Sequence, residues 1–292
     1  HIEGDKNVPD KITIMDNGNG MRPALMRKAA TWGGTDREGS AEGLGRFGFG
    51  LPSASMSQGH KFQVISAKKG EPFMMVEFDL HAAERGEYND PNGIMQMPEP
   101  TPYDLPKEMA ELRRKFLGNA DNGTMVVLYP AKDQLSHKSI NGLADHYKRE
   151  LGTICYKFLT GRDLYVVRSN EKLNRPEDAL VKPIDPSFVD PNGLFYDMGG
   201  LRSKPHKVGI LKEVLNPKTL QKGDIRIHVV YLGPNFHRVD CDSFPHKGDK
   251  SLNARYSISR DWNGFIIMRN GRIIDCVTHL QKHVWENRPG AG

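Results

Sequence analysis

Apolar and polar residues alternate in "KITIMDNGNGM" (11–21). Ile12 and Ile14 face one side before the chain breaks into a polar glycine turn, which predicts a strand ending in a loop. Strands are also predicted in "KFQVISA", "FMMVEFDL", "GTMVVLYP" and "RDLYVVR". Turns and the acidic, proline-rich interval from His81 to Pro106 separate them. A different spacing governs "SINGLADHYKRELGTICYKFL" (139–159). Ile140, Leu143, Tyr147, Leu151, Ile154 and Phe158 follow one another at three- and four-residue steps, which predicts a helix whose apolar stripe is core. "RPALMRKAA" carries Pro23 where a first helical turn tolerates it. "TWGGTDREGSAEGLG", from Thr31 to Gly45, is small, polar and glycine-dotted, and reads as a mobile loop.

Prolines and aspartates crowd "KPIDPSFVDPNG" and mark a domain boundary, so the chain divides into residues 1–183 and 184–292. Beyond it, "DIRIHVVYL" predicts a strand and "GFIIMRNGRIIDCV" a hairpin turning at Asn270-Gly271. At 292 residues and 37% hydrophobic content the chain can bury a sizeable core, in keeping with two domains. The three cysteines, Cys155, Cys241 and Cys276, are far apart and offer no metal spacing, which suits a reducing interior. With no leader-like or long apolar stretch, a soluble, cytoplasmic protein without a membrane partner is expected. The opening "HIEG" lacks an initiator Met and the chain stops at "NRPGAG", so a piece of a larger protein is expected, incomplete at its C-terminal end.

Two stretches carry candidate chemistry. In "GLGRFGFG" (43–50) the glycines Gly45, Gly48 and Gly50 let backbone amides turn toward one point, and a helix beginning after them adds its positive end; both favour an anion such as phosphate. A plain flexible turn satisfies the same glycines. The stretch lacks the Lys-Ser/Thr ending of a P-loop, and a loop precedes it where the dinucleotide fingerprint wants a strand. In "DNGNGM" the carboxylate of Asp16 offers an acceptor for an exocyclic amine. Gly18 and Gly20 keep backbone close, Gly20 admits a flat ring, and Met21 gives that ring a soft apolar face. The alternative is a plain Asx turn; too few acidic residues follow for a calcium loop.

Taken in order, these motifs resemble those of the GHKL superfamily, which includes gyrase B, heat-shock chaperones, histidine kinases and MutL. "DNGNGM" resembles its adenine-binding box, "GLGRFGFG" the glycine box behind its ATP lid, and "NGTMVVL" its third box, with Thr124 in the place of a threonine that helps hold the adenine. The resemblance implies an α+β protein: a Bergerat-fold α/β sandwich ATPase domain with a lid at about 31–45, followed by a smaller transducer-like, S5-type α/β domain. It implies ATP and Mg2+ as cofactors, with Asp16, Gly18, Gly20, Met21, Gly43, Leu44, Gly45, Arg46, Phe47, Gly48, Phe49, Gly50 and Thr124 at the nucleotide. Within the superfamily, "MDNGNGM", "TWGGTD" and "GLGRFGFGLPSASM" are most similar to MORC-type ATPases and their bacterial relatives, and "SISRDWNGFIIMRNGRIID" resembles a transducer domain.

The resemblance also implies what the chain departs from. In the family a helix upstream of the adenine box carries the acidic residue that activates water and the Asn that binds magnesium, whereas barely a strand precedes Asp16 here. The general base and metal ligand are therefore expected upstream of residue 1; Glu3 is near in sequence but on a strand. Transducer domains of the family send a basic side chain to the γ-phosphate, for which Arg260, Lys250 and Arg269 are candidates in that order. The whole chain is mildly basic, at a net charge of +5, yet from Leu201 to Arg260 twelve Lys and Arg face five Asp and Glu. That excess suits DNA phosphates or is scattered over both faces. Three readings stand: an ATP-driven homodimeric clamp on DNA, a chaperone-like ATPase acting on protein clients, and a nucleotide-binding regulatory module that does not hydrolyse.

Overall fold

The computed structural model describes residues 1–5, 7–35, 47–170, 177–188, 190–194, 196, 204–216, 222–231, 264–269 and 271–277. The chain divides into two compact units, His1–His146 with Tyr165–Ala179, and Tyr147–Leu164 with Leu180–Gly292.

The middle of the first unit is a strand that is apolar on both faces. β3 (Gly59–Ala67) runs beside β4 (Met74–Asp79) on one side and β6 (Gly123–Pro130) on the other, antiparallel to both. Its register sets Phe62 opposite Phe78 and Leu128, and Val64 opposite Val76 and Val126. Side chains alternate across a strand, so Phe62, Val64, Val76 and Phe78 share one face, and all four are buried. Helix α1 (Pro23–Ala30) rests on β3 and β4, with Met26 and Ala30 fully buried, and α2 (Gly50–Met56) rests on β3. Just beyond α1, Trp32 meets Phe78 edge-on with ring centroids 5.5 Å apart, which puts this layer on the face of Phe62.

The opposite face carries Ile65, Met125 and Val127, all buried, together with Met109 of α4 (Lys107–Leu117); Met15, Phe73, Met75 and Tyr103 pack around them. Both faces of the sheet centre are thus covered, which is why Val64, Ile65, Ser66 and Ala67 are buried in succession rather than alternately. The remaining strands are β1 (Ile2–Gly4), β2 (Lys11–Met15), β5 (Thr101–Pro102), β7 (Tyr165–Asn170) and β8 (Glu177–Leu180). They complete an eight-stranded sheet in the order β5-β4-β3-β6-β2-β1-β7-β8, mixed because β1 and β7 run parallel. Such a large mixed sheet with helices packed on it fits the α/β ATPase domain implied by the resemblance.

The predicted strands and α1 form where expected, with three differences. Short α3 (Leu80–Glu84), capped by the Asp79 carboxylate on His81 N at 2.9 Å, takes the last residue of the predicted strand "FMMVEFDL" and, with β5, lies in the acidic, proline-rich interval that separates the strands. The predicted helix of 139–159 is α5 (Ile140–Ile154), after which backbone bonds from Phe158 and Leu159 to Cys155 O turn the chain. Its stripe is fully buried only at Ile140 and Leu143, while Tyr147, Leu151, Ile154 and Phe158 are half-buried.

In the second unit the aspartate-rich stretch is an ordered turn. The buried Asp185 carboxylate accepts from Ser187 N, Ser187 Oγ and Asp190 N at 2.9, 2.6 and 2.7 Å, which satisfies the backbone of the bend. Asp190 pairs with Lys157 at 2.8 Å, and this bonding holds the Asp190 carboxyl below its usual range against the opposing effect of burial. Two antiparallel pairs follow, β9 (Lys204–Leu215) with β10 (Lys222–Tyr231), and β11 (Phe265–Arg269) with β12 (Arg272–Val277), the latter being the predicted hairpin. Among the described residues no helix is long and apolar enough to cross a membrane.

Candidate nucleotide-binding site

At the end of β2 the chain leaves the sheet through Asp16. Asp16 N donates to Thr124 O at 2.9 Å, extending the pairing of β2 with β6 by one step. The carboxylate then folds back: Oδ1 accepts from Gly18 N at 2.8 Å and from Thr124 N at 3.2 Å. The first of these bonds is an Asx turn, so the local reading of "DNG" as a turn is correct at the level of backbone geometry. It uses one oxygen only. Asp16 is exposed, and its Oδ2 accepts no hydrogen bond among the described residues, which leaves a fixed acceptor for an amine.

A chain of hydroxyls lies beside it. Ser66, at the end of β3 and fully buried, places its Oγ 3.0 Å from Thr124 Oγ1, 3.0 Å from Gly123 O and 2.8 Å from Met21 N, which donates to it. Ser66 therefore ties the Met21 turn to Thr124, a role that its place in an apolar strand pattern hides. The register also sets Ile14 opposite Val126, one alternation step from Thr124 on the same face. Ile14 is 58% exposed, and with Val126 it gives the site an apolar floor next to the acceptor of Asp16.

Gly20 closes the turn. It adopts φ +65°, and a Cβ there would sit 2.6 Å from the Ala67 carbonyl carbon and closer still to its oxygen. The close approach that the glycine permits is with the backbone of β3, and it brings Met21 N within reach of Ser66.

A third layer comes from α4. Arg113, only 4% exposed, donates from Nη2 to Asn122 O at 2.9 Å and to Ala120 O at 3.2 Å, and from Nη1 to Asp16 O at 3.5 Å. Its guanidinium carbon lies 5.1 Å from the centre of the Phe73 ring. Burial pulls the Arg113 pKa below its usual range and the charge of Asp16 pushes it back up. Asn122 Nδ2 in turn donates to Gly18 O at 2.6 Å. Nothing in sequence spacing marks Arg113, which is 97 residues from Asp16; the one available signal is a cation inside an otherwise amphipathic helix.

The glycine box is described in part. Gly43, Leu44, Gly45 and Arg46 lie outside the described residues, as do Lys250 and Arg260, while Arg269 is exposed at the end of β11, opposite Arg272. Gly33 N donates to Gly48 O at 3.1 Å, which joins the first residues of the expected lid to the chain just beyond it. Phe47 and Phe49 are 69% and 54% exposed beside this joint. Helix α2 begins at Gly50, two residues ahead of Pro52, and has seven residues. Glu3 sits on β1, between β2 and β7, ion-paired with Lys11. Among the described residues no group of three or more His, Cys, Asp or Glu side chains converges as a metal site.

Residues 1–110 match the family described as histidine kinase-, DNA gyrase B-, and HSP90-like ATPase. No curated protein matches the chain. The matched segment holds Asp16, Gly20, Met21, Ser66 and the described end of the glycine box, and stops before Thr124 on β6. The match spans 110 of the 292 residues and is a likeness of the first part of the chain to GHKL-type ATPase domains.

Proposed function

We propose that the corner formed by Asp16, Met21, Ser66 and Thr124 binds the adenine of ATP, with the glycine box of residues 43–50 on the phosphate side. The observation that carries this reading is the division of labour at Asp16: Oδ1 is held by two backbone amides, and Oδ2 is left free to accept from the exocyclic amine. Ile14 and Val126 supply the apolar surface under the ring, and the Ser66–Thr124 hydroxyl pair supplies polar contacts at its edge. Titration calorimetry with ATP, adenosine and guanosine triphosphate tests it. ATP and adenosine are expected to bind and the guanine nucleotide to be rejected, because a 6-oxo group faces the Asp16 oxygen with no proton to offer; equal binding of both triphosphates removes the site.

Gly48→Ala tests the phosphate side. Gly48 has φ +68°, and a Cβ would come 2.6 Å from Gly34 C and 2.7 Å from Gly33 C, all backbone that cannot step aside without opening the joint. Strain of this kind costs on the order of 1–3 kcal/mol. ATP affinity is expected to fall about tenfold while adenosine affinity holds, because only the triphosphate needs the loop. An equal loss for both ligands puts Gly48 outside the phosphate contacts.

At the finer level we read the protein as a MORC-like ATPase that hydrolyses ATP, pairs as a homodimer in the ATP state and acts on DNA. Residues 184–292 form a transducer-like domain in this reading, and Mg2+ is the second cofactor. Support comes from the order of the three boxes and from the excess of positive charge between Leu201 and Arg260. DNA affinity measured with an ATP analogue over a range of salt is the test, since neutralising several phosphates makes the logarithm of affinity fall steeply with the logarithm of salt. A flat salt dependence, or none of the expected DNA binding, turns the reading toward protein clients.

A further inference from the structure

We propose that Arg113 is a positioning residue for the Asp16 acceptor, holding it in the orientation that discriminates a 6-amino purine from a 6-oxo purine; this rests on the adenine reading of the site. Among the described residues the guanidinium has no carboxylate partner at hydrogen-bond distance; its contacts there are three carbonyl oxygens and an aromatic face. Those carbonyls belong to the two segments that meet at the site: Asp16 at the end of β2, and Ala120 and Asn122 in the turn between α4 and β6. Asn122, fixed by Arg113 through its carbonyl, uses its side chain to hold Gly18 O at 2.6 Å. Arg113 and Asn122 therefore grip the Asx turn at both ends, at the Asp16 carbonyl and the Gly18 carbonyl. Between those grips one Asp16 carboxylate oxygen accepts from the Gly18 and Thr124 amides, and the other accepts from no described residue.

A planar, five-donor fork suits this geometry, because it reaches three carbonyls from one buried position while its charge lies behind the carboxylate it orients. Lysine offers donors from a single point and cannot span the three acceptors. The consequence is specific: loosening the grip lets the carboxylate rotate, which weakens adenine binding and erodes base selectivity more than it weakens contact with the phosphates.

The experiment compares ATP, inosine triphosphate and inorganic tripolyphosphate on the full chain and on Arg113→Lys, Arg113→Met and Asn122→Ala, with circular dichroism and urea melts reporting the fold. Asn122 is half-buried at the surface of the turn, so its variant keeps the fold even where loss of the buried Arg113 does not. Expected are a tenfold or greater loss of ATP affinity in the folded Arg113 variants, a smaller loss in Asn122→Ala, an ATP-to-inosine-triphosphate selectivity ratio that drops toward unity in each, and unchanged tripolyphosphate binding. A purely structural role lowers the melts and leaves the ratio of the folded fraction intact; that result, or selectivity equal to the parent in Asn122→Ala and Arg113→Lys, overturns the proposal. Failure of the parent chain to distinguish ATP from inosine triphosphate is a different outcome: it refutes the adenine reading itself, and this inference with it.

Discussion

Asp16→Asn is expected to fold like the parent protein and to lose about ten- to a hundredfold in ATP affinity. The asparagine can place its carbonyl where Oδ1 now accepts from Gly18 N and Thr124 N, so the Asx turn survives. Its amide nitrogen then occupies the place of Oδ2 and points a donor at the amine of adenine. A buried donor facing a donor costs on the order of 1–3 kcal/mol, and each 1.4 kcal/mol is about a factor of ten in affinity. Asp16→Ala is the companion: it removes both turn bonds and is expected to lower stability as well. Calorimetry and urea melts on the two variants separate the role in the turn from the role toward the ligand. Parent-like ATP affinity in a folded Asp16→Asn takes the carboxylate out of the site.

Gly20→Ala is expected to destabilise the first unit by about 2–3 kcal/mol and to abolish nucleotide binding in the remaining folded protein. Two penalties coincide. A left-handed φ of +65° is strained for any residue with a Cβ, and here that Cβ would strike the carbonyl of Ala67 at the end of β3, a buried position in the middle of the sheet. The only relief is for the turn to lift away, which breaks the bond from Met21 N to Ser66 Oγ and leaves that buried hydroxyl with fewer partners. Urea unfolding gives the first number and calorimetry the second. A stability within 0.5 kcal/mol of the parent, the usual range for surface changes, means that the turn moves at little cost and does not depend on this packing.

Much of the first unit is legible in its pattern of residues, and the reason is physical. β2, β3, β4 and β6 announce themselves because each is a short run rich in β-branched, aromatic or methionine residues between turn signals; α1 does so through Pro23. α4 does not. "KEMAELRRKFL" offers few apolar positions, and one of its two buried side chains is the cation Arg113, which a hydrophobic periodicity counts as surface. Asp16 and the glycines around it are visible because they serve the local turn. Their supports, Ser66, Arg113 and Asn122, act on backbone groups 45 to 104 residues away, and spacing carries no information about such partners. The same holds for Gly20: the sequence reading admits a ring there, while the structure shows the Ala67 carbonyl in contact.

The bond between Gly33 N and Gly48 O has a consequence for how this protein can vary. Fourteen residues, 34–47, lie between its two ends, and α1 and α2 on either side also pack on each other and on β3. Closing a flexible loop costs free energy only as the logarithm of its length, so doubling the loop adds roughly 0.6 kcal/mol. With the joint intact, insertions and deletions within the segment are cheap for the fold. The stretch ahead of the glycine box is then where the chain can change length at least cost to the fold, while Gly33 and Gly48 stay tied to the joint and residues 43–50 to the proposed phosphate contacts.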